Sequence, residues 1–238
     1  MDWWNLWVPF VGTILGIIVN VCINRSQTKK NHELQKEITQ KQIDADVILK
    51  SRMHWIDNTK NIASEFLIDS LKLVTLNANL VEHYYKITAL RELQHNNSLK
   101  LKEKDLDTDE KEKATKIKKT VEKEILAYKE IVSQSNIQVN ELIYRTSKNN
   151  TLLLLNFSNN IKNNEIIDLV KFINSNLRII TNKTKELEVL VGDENVNWNM
   201  KIEESTARKK IINKKVDELT LKLRDYYKKE WEKVKEGM

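Results

Sequence analysis

The beginning of the chain carries a hydrophobic pattern unlike that of the rest. From Trp3 to Ile23 there are 21 residues without a Lys, Arg, Asp, Glu or His. A helix rises about 1.5 Å per residue, so this stretch spans roughly 31 Å, close to the thickness of the hydrocarbon core of a bilayer. The pattern predicts a single transmembrane helix over residues 1–24.

The residues that flank this stretch predict its orientation. Tryptophans favour the headgroup region, and basic residues after a span are retained on the cytoplasmic side. They are Trp3, Trp4 and Trp7 at the first end and Arg25, Lys29 and Lys30 at the other. We therefore expect the N-terminus outside and the C-terminal part in the cytoplasm. A cleaved signal peptide is the alternative, but the basic start and the small-residue cleavage site that it requires are absent.

Small residues recur at every fourth position within the predicted span. Gly12, Gly16 and Asn20 fall on one helix face. In lipid, small residues let two backbones approach, and an Asn amide can hydrogen-bond across the contact. The face predicts self-association into a homo-oligomer. The alternative is that the spacing arose by chance and that Asn20 is hydrated near the headgroups.

After the span, apolar residues recur at alternating steps of three and four, as in a heptad repeat. The repeat extends from Leu34 to Leu90, and no Pro or Gly occurs between residues 26 and 94. This predicts one long helix with no break to separate it from the anchor. Residues 25–46, poor in hydrophobes, are predicted to form an exposed stalk, and residues 47–238 a cytoplasmic helical bundle. Polar residues interrupt the repeat at Lys41, Arg52, Thr59, Asp69 and His83.

Polar clusters divide the next part of the chain. The cluster His95–Ser98 predicts a break, followed by a loop and by a helix with Asp107 or Thr108 as its cap. The cluster at residues 147–150 is predicted to end that helix. The apolar run at residues 151–157 has no partner strand elsewhere, so we expect a buried helical segment.

Two further helices complete the prediction. The first follows Asn164 and runs to about Val191, where Gly192 is expected to stop it. The second begins at about Val196 and carries apolar residues at helical spacing as far as Val234. The fold class is therefore predicted as all-α, with a single N-terminal transmembrane helix followed by a long-helix cytoplasmic bundle.

Composition and charge narrow the range of partners. One Pro, four Gly and 31% charged residues in 238 favour long helices. The formal charge is +6, and since Asp2 precedes the span, the remaining 40 basic and 33 acidic residues give the cytoplasmic part +7. Membrane lipid is the expected partner. Nucleic acid is not expected, because the clusters Arg208–Lys210 and Lys214–Lys215 lack interleaved aromatic residues.

No residue pattern points to catalysis. The four histidines are scattered, and His32-Glu33 lacks the second histidine of a zinc protease motif because Lys36 stands there. Four glycines provide no phosphate loop, and the sole cysteine, Cys22, excludes intrachain disulfides and cysteine-cluster metal sites. We expect no enzyme, no catalytic residue, no cofactor and no metal. A hydrolase or nuclease site assembled from distant acids and histidines is the alternative.

Three short segments carry a resemblance. Arg52 to Ile56, with the following Lys60 to Ala63, resembles an R-x-x-W-I-x-x-x-R-x-I-A helix in which Lys60 replaces the usual Arg. Leu152 to Asn156, with the helix after it, is similar to an L-x-L-N segment that often continues with Pro. Glu230 to Lys235 resembles a closing E-W-x-x-V-K motif. Together they resemble a group of uncharacterised bacterial single-pass membrane proteins.

The resemblance implies an N-terminal anchor with a cytoplasmic helical bundle, and proteins of this layout include effectors of anti-phage defence. It also suggests that the helix after the stalk packs on the last helix. In that packing Arg52 pairs with an acid such as Glu230 or Glu232, and the alternative is separate packing with a solvated Arg52. The residues expected to contribute are Arg52, Trp55, Ile56, Trp231 and Val234.

These observations predict a membrane-anchored helical interaction protein of the inner membrane. It is expected to self-associate and to engage a cytoplasmic protein, as an anti-phage defence effector in the most specific form of the hypothesis. A passive coiled-coil scaffold or tether for a cytoplasmic partner is the alternative.

Overall fold

A computed structural model describes residues 4–102, 107–157 and 163–235, with side chains from residue 11 onward. Its helices are α1 (Trp4–Lys100), α2 (Thr108–Asn156), α3 (Asn164–Val189) and α4 (Trp198–Lys235). Within these ranges there is no strand. The predicted all-α fold class is confirmed.

Helix α1 is one uninterrupted helix of 97 residues, so the chain from residue 4 to residue 100 is continuous. The break predicted at His95–Ser98 is wrong. Asn97 Nδ2 donates to the carbonyl of Leu93 at 2.9 Å, and Ser98 Oγ donates to the carbonyl of Gln94 at 2.8 Å. Because these polar side chains bond back to the helix, they do not end it.

Helix α2 begins where the sequence predicts and ends later. Asp107 is its N-cap, and Oδ1 of Asp107 accepts from the backbone N–H of Thr108 at 2.6 Å. The end predicted at residues 147–150 is wrong, since Asn149 is buried and Asn149 Nδ2 donates to Glu65 of α1 at 3.2 Å. Residues 151–156 are therefore the last turns of α2 rather than a separate segment.

The loop between α3 and α4 is held by α1. Helix α3 ends at Val189, before the stop predicted at Gly192, which lies in the loop with φ of 98°. Arg91 Nη1 donates to the carbonyl of Val191 at 2.6 Å, and Thr88 Oγ1 accepts from the N–H of Gly192 at 3.1 Å. The positive φ is a conformation that glycine adopts without a Cβ clash.

The chain divides into two compact units. One is Ile56–Glu230, here called the bundle unit, and the other combines Met1–Trp55 with Trp231–Met238. The boundary between stalk and bundle that the sequence places at residue 47 stays a prediction. Val47 and Ile48, which were expected to join the core, are 57% and 62% exposed.

Side-chain contacts give the bundle unit its topology. As residue numbers increase along α1, those of its contact partners in α2 decrease, so these two helices are antiparallel. The residue numbers of its partners in α3 and the following loop increase, so α1 and α3 are parallel. Helices α3 and α4 are again antiparallel, which makes an up-down-up-down four-helix bundle. The contacts are Glu65–Asn149, Asp69–Arg145, Asn77–Thr181, Thr88–Gly192, Lys183–Glu204 and Glu165–Lys222.

The core of the bundle unit is the predicted heptad face of α1 packed against the other helices. Phe66, Leu73, Leu80 and Ile87 are at most 3% exposed. Leucines and isoleucines of the other helices complete it, namely Leu153, Ile173, Leu177, Ile212 and Leu219. Each fully buried side chain of this kind contributes about 1.5 to 3 kcal/mol, so the packed face explains why α1 is held here.

The remaining part of α1 has a different character. Leu34, Ile38 and Ile43, in the predicted stalk, are 51% to 56% exposed. Lys41 pairs with Glu37 one turn earlier at 2.8 Å, a contact within the helix itself. Across the residues whose side chains are described, no helix has a stretch both long and apolar enough to cross a bilayer.

Candidate functional site

Large apolar side chains lie exposed along the first described turns of α1. We call residues 11–23 the apolar segment. Eight of its side chains are between 44% and 59% exposed: Val11, Ile14, Leu15, Ile17, Ile18, Val19, Val21 and Ile23. The segment contains no charged residue, so its surface offers water almost no hydrogen-bonding groups.

The exposed side chains do not form a single stripe. Successive residues of a helix are rotated by about 100°, so the eight positions cover about two-thirds of its circumference, and the remaining third carries Gly16, Asn20 and Thr13. A helix that packs on one partner is apolar on one face only. The apolar arc of this segment is wider than the face of a helix that packs on one partner.

The predicted association residues lie on this segment without a close neighbour. A Cβ added to Gly12 or Gly16 would meet no heavy atom within 4 Å. Asn20 Oδ1 accepts from Asn24 Nδ2 at 3.4 Å, which extends the row of small and polar residues by one turn. The face is thus open to a second helix.

Of the residues predicted to lie at the membrane–water interface, only those that follow the apolar segment have described side chains. Arg25, Lys29 and Lys30 are exposed at the end of the apolar segment. Trp3, and the side chains of Trp4 and Trp7, lie outside the described residues. The structure therefore describes the basic flank alone.

The residues predicted to pack the helix after the stalk on the last helix differ in how far their side chains are buried. Ile56 is buried at 4% exposure in the bundle unit, whereas Trp55 is half-buried. Trp231 is 40% exposed, and Arg52 and Val234 are partly exposed. Trp55 and Trp231 belong to the same compact unit. The pairing of Arg52 with a C-terminal acid stays a prediction.

The bundle unit contains an ion pair between a buried carboxylate and a partly exposed arginine, which the sequence pattern did not reveal. Asp69 and Thr59, expected as polar interruptions of the heptad face, are 1% and 0% exposed. Arg145 Nε lies 2.9 Å from Asp69 Oδ2, but the N–H is not aligned for a hydrogen bond, and neither carboxylate oxygen accepts one from a described residue. Asp69 and Arg145 are far apart in the sequence, so no local pattern predicts that they lie in contact.

The histidine and metal predictions can be compared with the described residues. Among them, no three His, Cys, Asp or Glu side chains are grouped to hold a metal ion. The His83 ring packs 5.7 Å from the ring of Tyr128, and burial, followed by the nearby Lys86 charge, lowers the pKa of His83. The nearby Glu82 charge acts in the opposite direction and is the smallest of the three causes.

The basic clusters of α4 are engaged by neighbouring groups. Arg208 Nη2 donates to Glu204 at 3.2 Å, and Lys215 Nζ donates to Glu218 at 2.7 Å. Lys215 also lies 5.9 Å from the centre of the Phe172 ring. Hydrogen bonding from Lys215 lowers the pKa of Glu218, which keeps this carboxylate charged beside the lysine. One basic residue of each cluster, Arg208 or Lys215, is thus paired with an acid of the same helix.

Comparison of the chain with known protein families, with curated proteins and with solved structures found no match.

Proposed function

We propose that this chain is a membrane-anchored helical interaction protein that self-associates. The observation that carries the proposal is the apolar segment, with apolar side chains exposed over about two-thirds of the circumference of a continuous helix. Moving such side chains out of water contributes about 1.5 to 3 kcal/mol for each one fully buried. Eight half-exposed side chains would therefore gain several kcal/mol from a lipid environment.

Lipid is favoured over a single protein partner because the apolar arc of the segment is wider than the face that one partner helix covers. A protein partner covers one side of a helix and leaves the other side to water, whereas the hydrocarbon core surrounds it. The tryptophans before the segment and the basic residues after it have the distribution typical of an anchor. We place the N-terminus outside and the rest in the cytoplasm, at the inner membrane.

Self-association is proposed through Gly12, Gly16 and Asn20, with a second copy of the chain as the partner. The open space around both glycines supports this choice, because two backbones can approach only where no side chain intervenes. Association would bring several bundle units together beneath the membrane. A cytoplasmic protein partner would then meet several copies of the same surface.

The most specific form of the proposal is an effector of anti-phage defence that disturbs the inner membrane. It rests on the resemblance of the Arg52 to Ile56 and Glu230 to Lys235 segments to bacterial single-pass proteins. Expression during phage challenge tests it: a loss of membrane potential that depends on the anchor supports this form. Unchanged potential and unchanged phage growth would remove it.

A passive tether is the second candidate, and the exposed stalk favours it. Residues 25–46 form a helix whose side chains are all exposed, as those of a spacer would be. Deletion of seven stalk residues preserves the helical phase to within about 20°. A tether should tolerate this deletion, whereas loss of activity on deletion would favour a role that depends on the stalk itself.

Membrane fractionation tests the anchor with a matched pair of variants. Ile17→Lys with Val19→Lys introduces two charges into the apolar segment, at side chains 59% and 55% exposed. Ile38→Lys with Ile43→Lys introduces the same charges at stalk side chains 55% and 51% exposed. A central lysine costs about 2.5 to 3.5 kcal/mol in a membrane helix, so only the first pair should release the protein from the alkali-washed membrane fraction. Equal behaviour of the two pairs would contradict the proposal.

A further inference from the structure

A small pocket lies between α3 and α4 of the bundle unit. Its volume is about 140 Å³. Val81 of α1 and Ile180 and Leu187 of α3 provide an apolar floor. Lys201, Ser205 and Arg208 of α4 provide polar groups at its other wall. The pocket is far in sequence from the apolar segment, and nothing in the proposed function uses it.

Two hydrogen-bond donors in this pocket have no acceptor. Ser205 is 7% exposed, and its Oγ is buried without a partner in the described chain. Arg208 Nε is also buried and unpartnered, although Nη2 of the same guanidinium donates to Glu204 at 3.2 Å. Buried donors in folded proteins nearly always have a protein or solvent partner, so these two indicate an acceptor that the chain itself does not supply.

The donors share one side of α4. Residues at positions 201, 205 and 208 are separated by about one turn each, so they project in the same direction. The Lys201 ammonium makes no hydrogen bond or ion pair with a described residue and stands at the edge of the same pocket. A ligand in the pocket would therefore meet the Lys201 ammonium and two hydrogen-bond donors, the Ser205 hydroxyl and the Nε–H of Arg208.

The neighbouring carboxylate is already occupied. Glu204 accepts from Lys183 and from Arg208, and hydrogen bonding from Lys183 is the first cause that lowers the pKa of Glu204. Glu204 therefore remains ionised and neutralises part of the charge on Lys183 and Arg208. Glu186 also lines the pocket, so three cations, Lys183, Lys201 and Arg208, stand against two carboxylates. The lining keeps a formal excess of one positive charge, suited to a ligand with a single negative charge.

We propose that this pocket binds a small monocarboxylate. The carboxylate accepts from Ser205 Oγ and Arg208 Nε, with Lys201 as its counter-charge, and a short apolar group lies on Val81, Ile180 and Leu187. A cavity of about 150 Å³ is large enough for benzene, so a pocket of this size takes a chain of roughly three to six carbons. A dianion such as phosphate is disfavoured by the apolar floor and by the charge of Glu204.

Calorimetric titration of the detergent-purified full chain with butyrate tests the proposal. We expect saturable binding with a Kd of about 1 mM or tighter, within the range available to a ligand of this size. Butyramide has the same shape but no charge, and inorganic phosphate has charge but no apolar group, so both should bind at least about tenfold more weakly. Absence of saturable butyrate binding, or binding of butyramide or phosphate as tight as that of butyrate, would overturn the proposal.

Variants locate the site. Ser205→Ala removes one donor, and Arg208→Lys removes the Nε donor while it keeps a cation near Glu204. Each should weaken butyrate binding about tenfold or more. Lys210→Met, on an exposed position of the same helix, is the control and should bind as the wild type does. Wild-type affinity in both site variants, measured on samples with an unchanged helical spectrum, would place butyrate elsewhere and overturn the assignment. None of these outcomes depends on whether the chain is membrane-anchored.

Discussion

Arg145 of α2 holds its Nε 2.9 Å from Oδ2 of Asp69, a carboxylate of α1 that is only 1% exposed. The arginine side chain is 44% exposed, so the carboxylate of the pair lies in the core while the guanidinium is partly in contact with water. It is one of the side-chain contacts that join α1 to α2, together with that of Glu65 and Asn149. When a buried carboxylate loses its charged partner, it keeps the free-energy cost of desolvation but no longer has the attraction that offset this cost.

We therefore expect Arg145→Met to destabilise the bundle unit by about 2 kcal/mol, less than the 3 to 5 kcal/mol typical of a fully buried pair because Arg145 is partly solvated. Arg224→Met is the control, since Arg224 is 70% exposed and pairs only with its neighbour Asp225. Urea unfolding measures both. Adding Asp69→Asn to Arg145→Met should recover part of the loss. Equal stability of the Arg145 and Arg224 variants would contradict this role.

Gly192 should not tolerate a side chain. Its φ is 98°, and a Cβ there would lie 2.6 Å from Arg91 Nη1. Gly192→Ala should therefore lower the free energy of unfolding by about 1 to 2 kcal/mol. The same change in an Arg91→Ala background should cost less, because only the backbone strain remains. A Gly192→Ala protein as stable as the wild type in thermal unfolding would show that the loop adopts another conformation.

Tyr84 should give the bundle unit an alkaline stability limit. Burial, and then the charge of Glu188, raises the pKa of Tyr84 from 10.0 to about 12. Because the folded state holds this proton more tightly than the unfolded state, the stabilisation is complete below pH 10 and is lost as pH rises towards 12. Tyr84→Phe should flatten the decline of unfolding free energy over this range. Tyr144→Phe, at a side chain 71% exposed, should leave the decline unchanged.

How much the sequence predicts depends on whether the deciding contact is local. The Asp107 cap and the long helices are local features, and the structure confirms them. The predicted ends at residues 95–98 and 147–150 are wrong because Asn97, Ser98 and Asn149 find partners in their own helix or in α1.

The same limit applies to the candidate sites. The apolar segment is visible in the sequence because every residue in it is uncharged. The burial of Asp69 depends on Arg145, and the pocket at Ser205 depends on the packing of α3 and α4, so neither has a sequence signal. The cluster Arg208–Lys210 is visible as charge, but the pairing of Arg208 with Glu204 requires the helical register.

Self-association should depend on the glycine face. Gly12→Leu with Gly16→Leu places side chains where the structure has open space, and it should abolish the cross-linked dimer in membranes. Ile14→Leu with Ile18→Leu, on the opposite side of the same helix, is the control and should leave the dimer unchanged. If the glycine variant cross-links as efficiently as the control, the face does not mediate association.

The environment of the apolar segment is tested most directly by labelling a single cysteine with a membrane-impermeant maleimide. With Cys22→Ser as the background, one protein carries Ile17→Cys and the other carries Gln35→Cys in the stalk. We expect the Ile17→Cys protein to sediment with membranes and to react only after denaturation, and the Gln35→Cys protein to react once cells are permeabilised. A protein that stays in the soluble fraction and reacts readily at position 17 would contradict the membrane anchor.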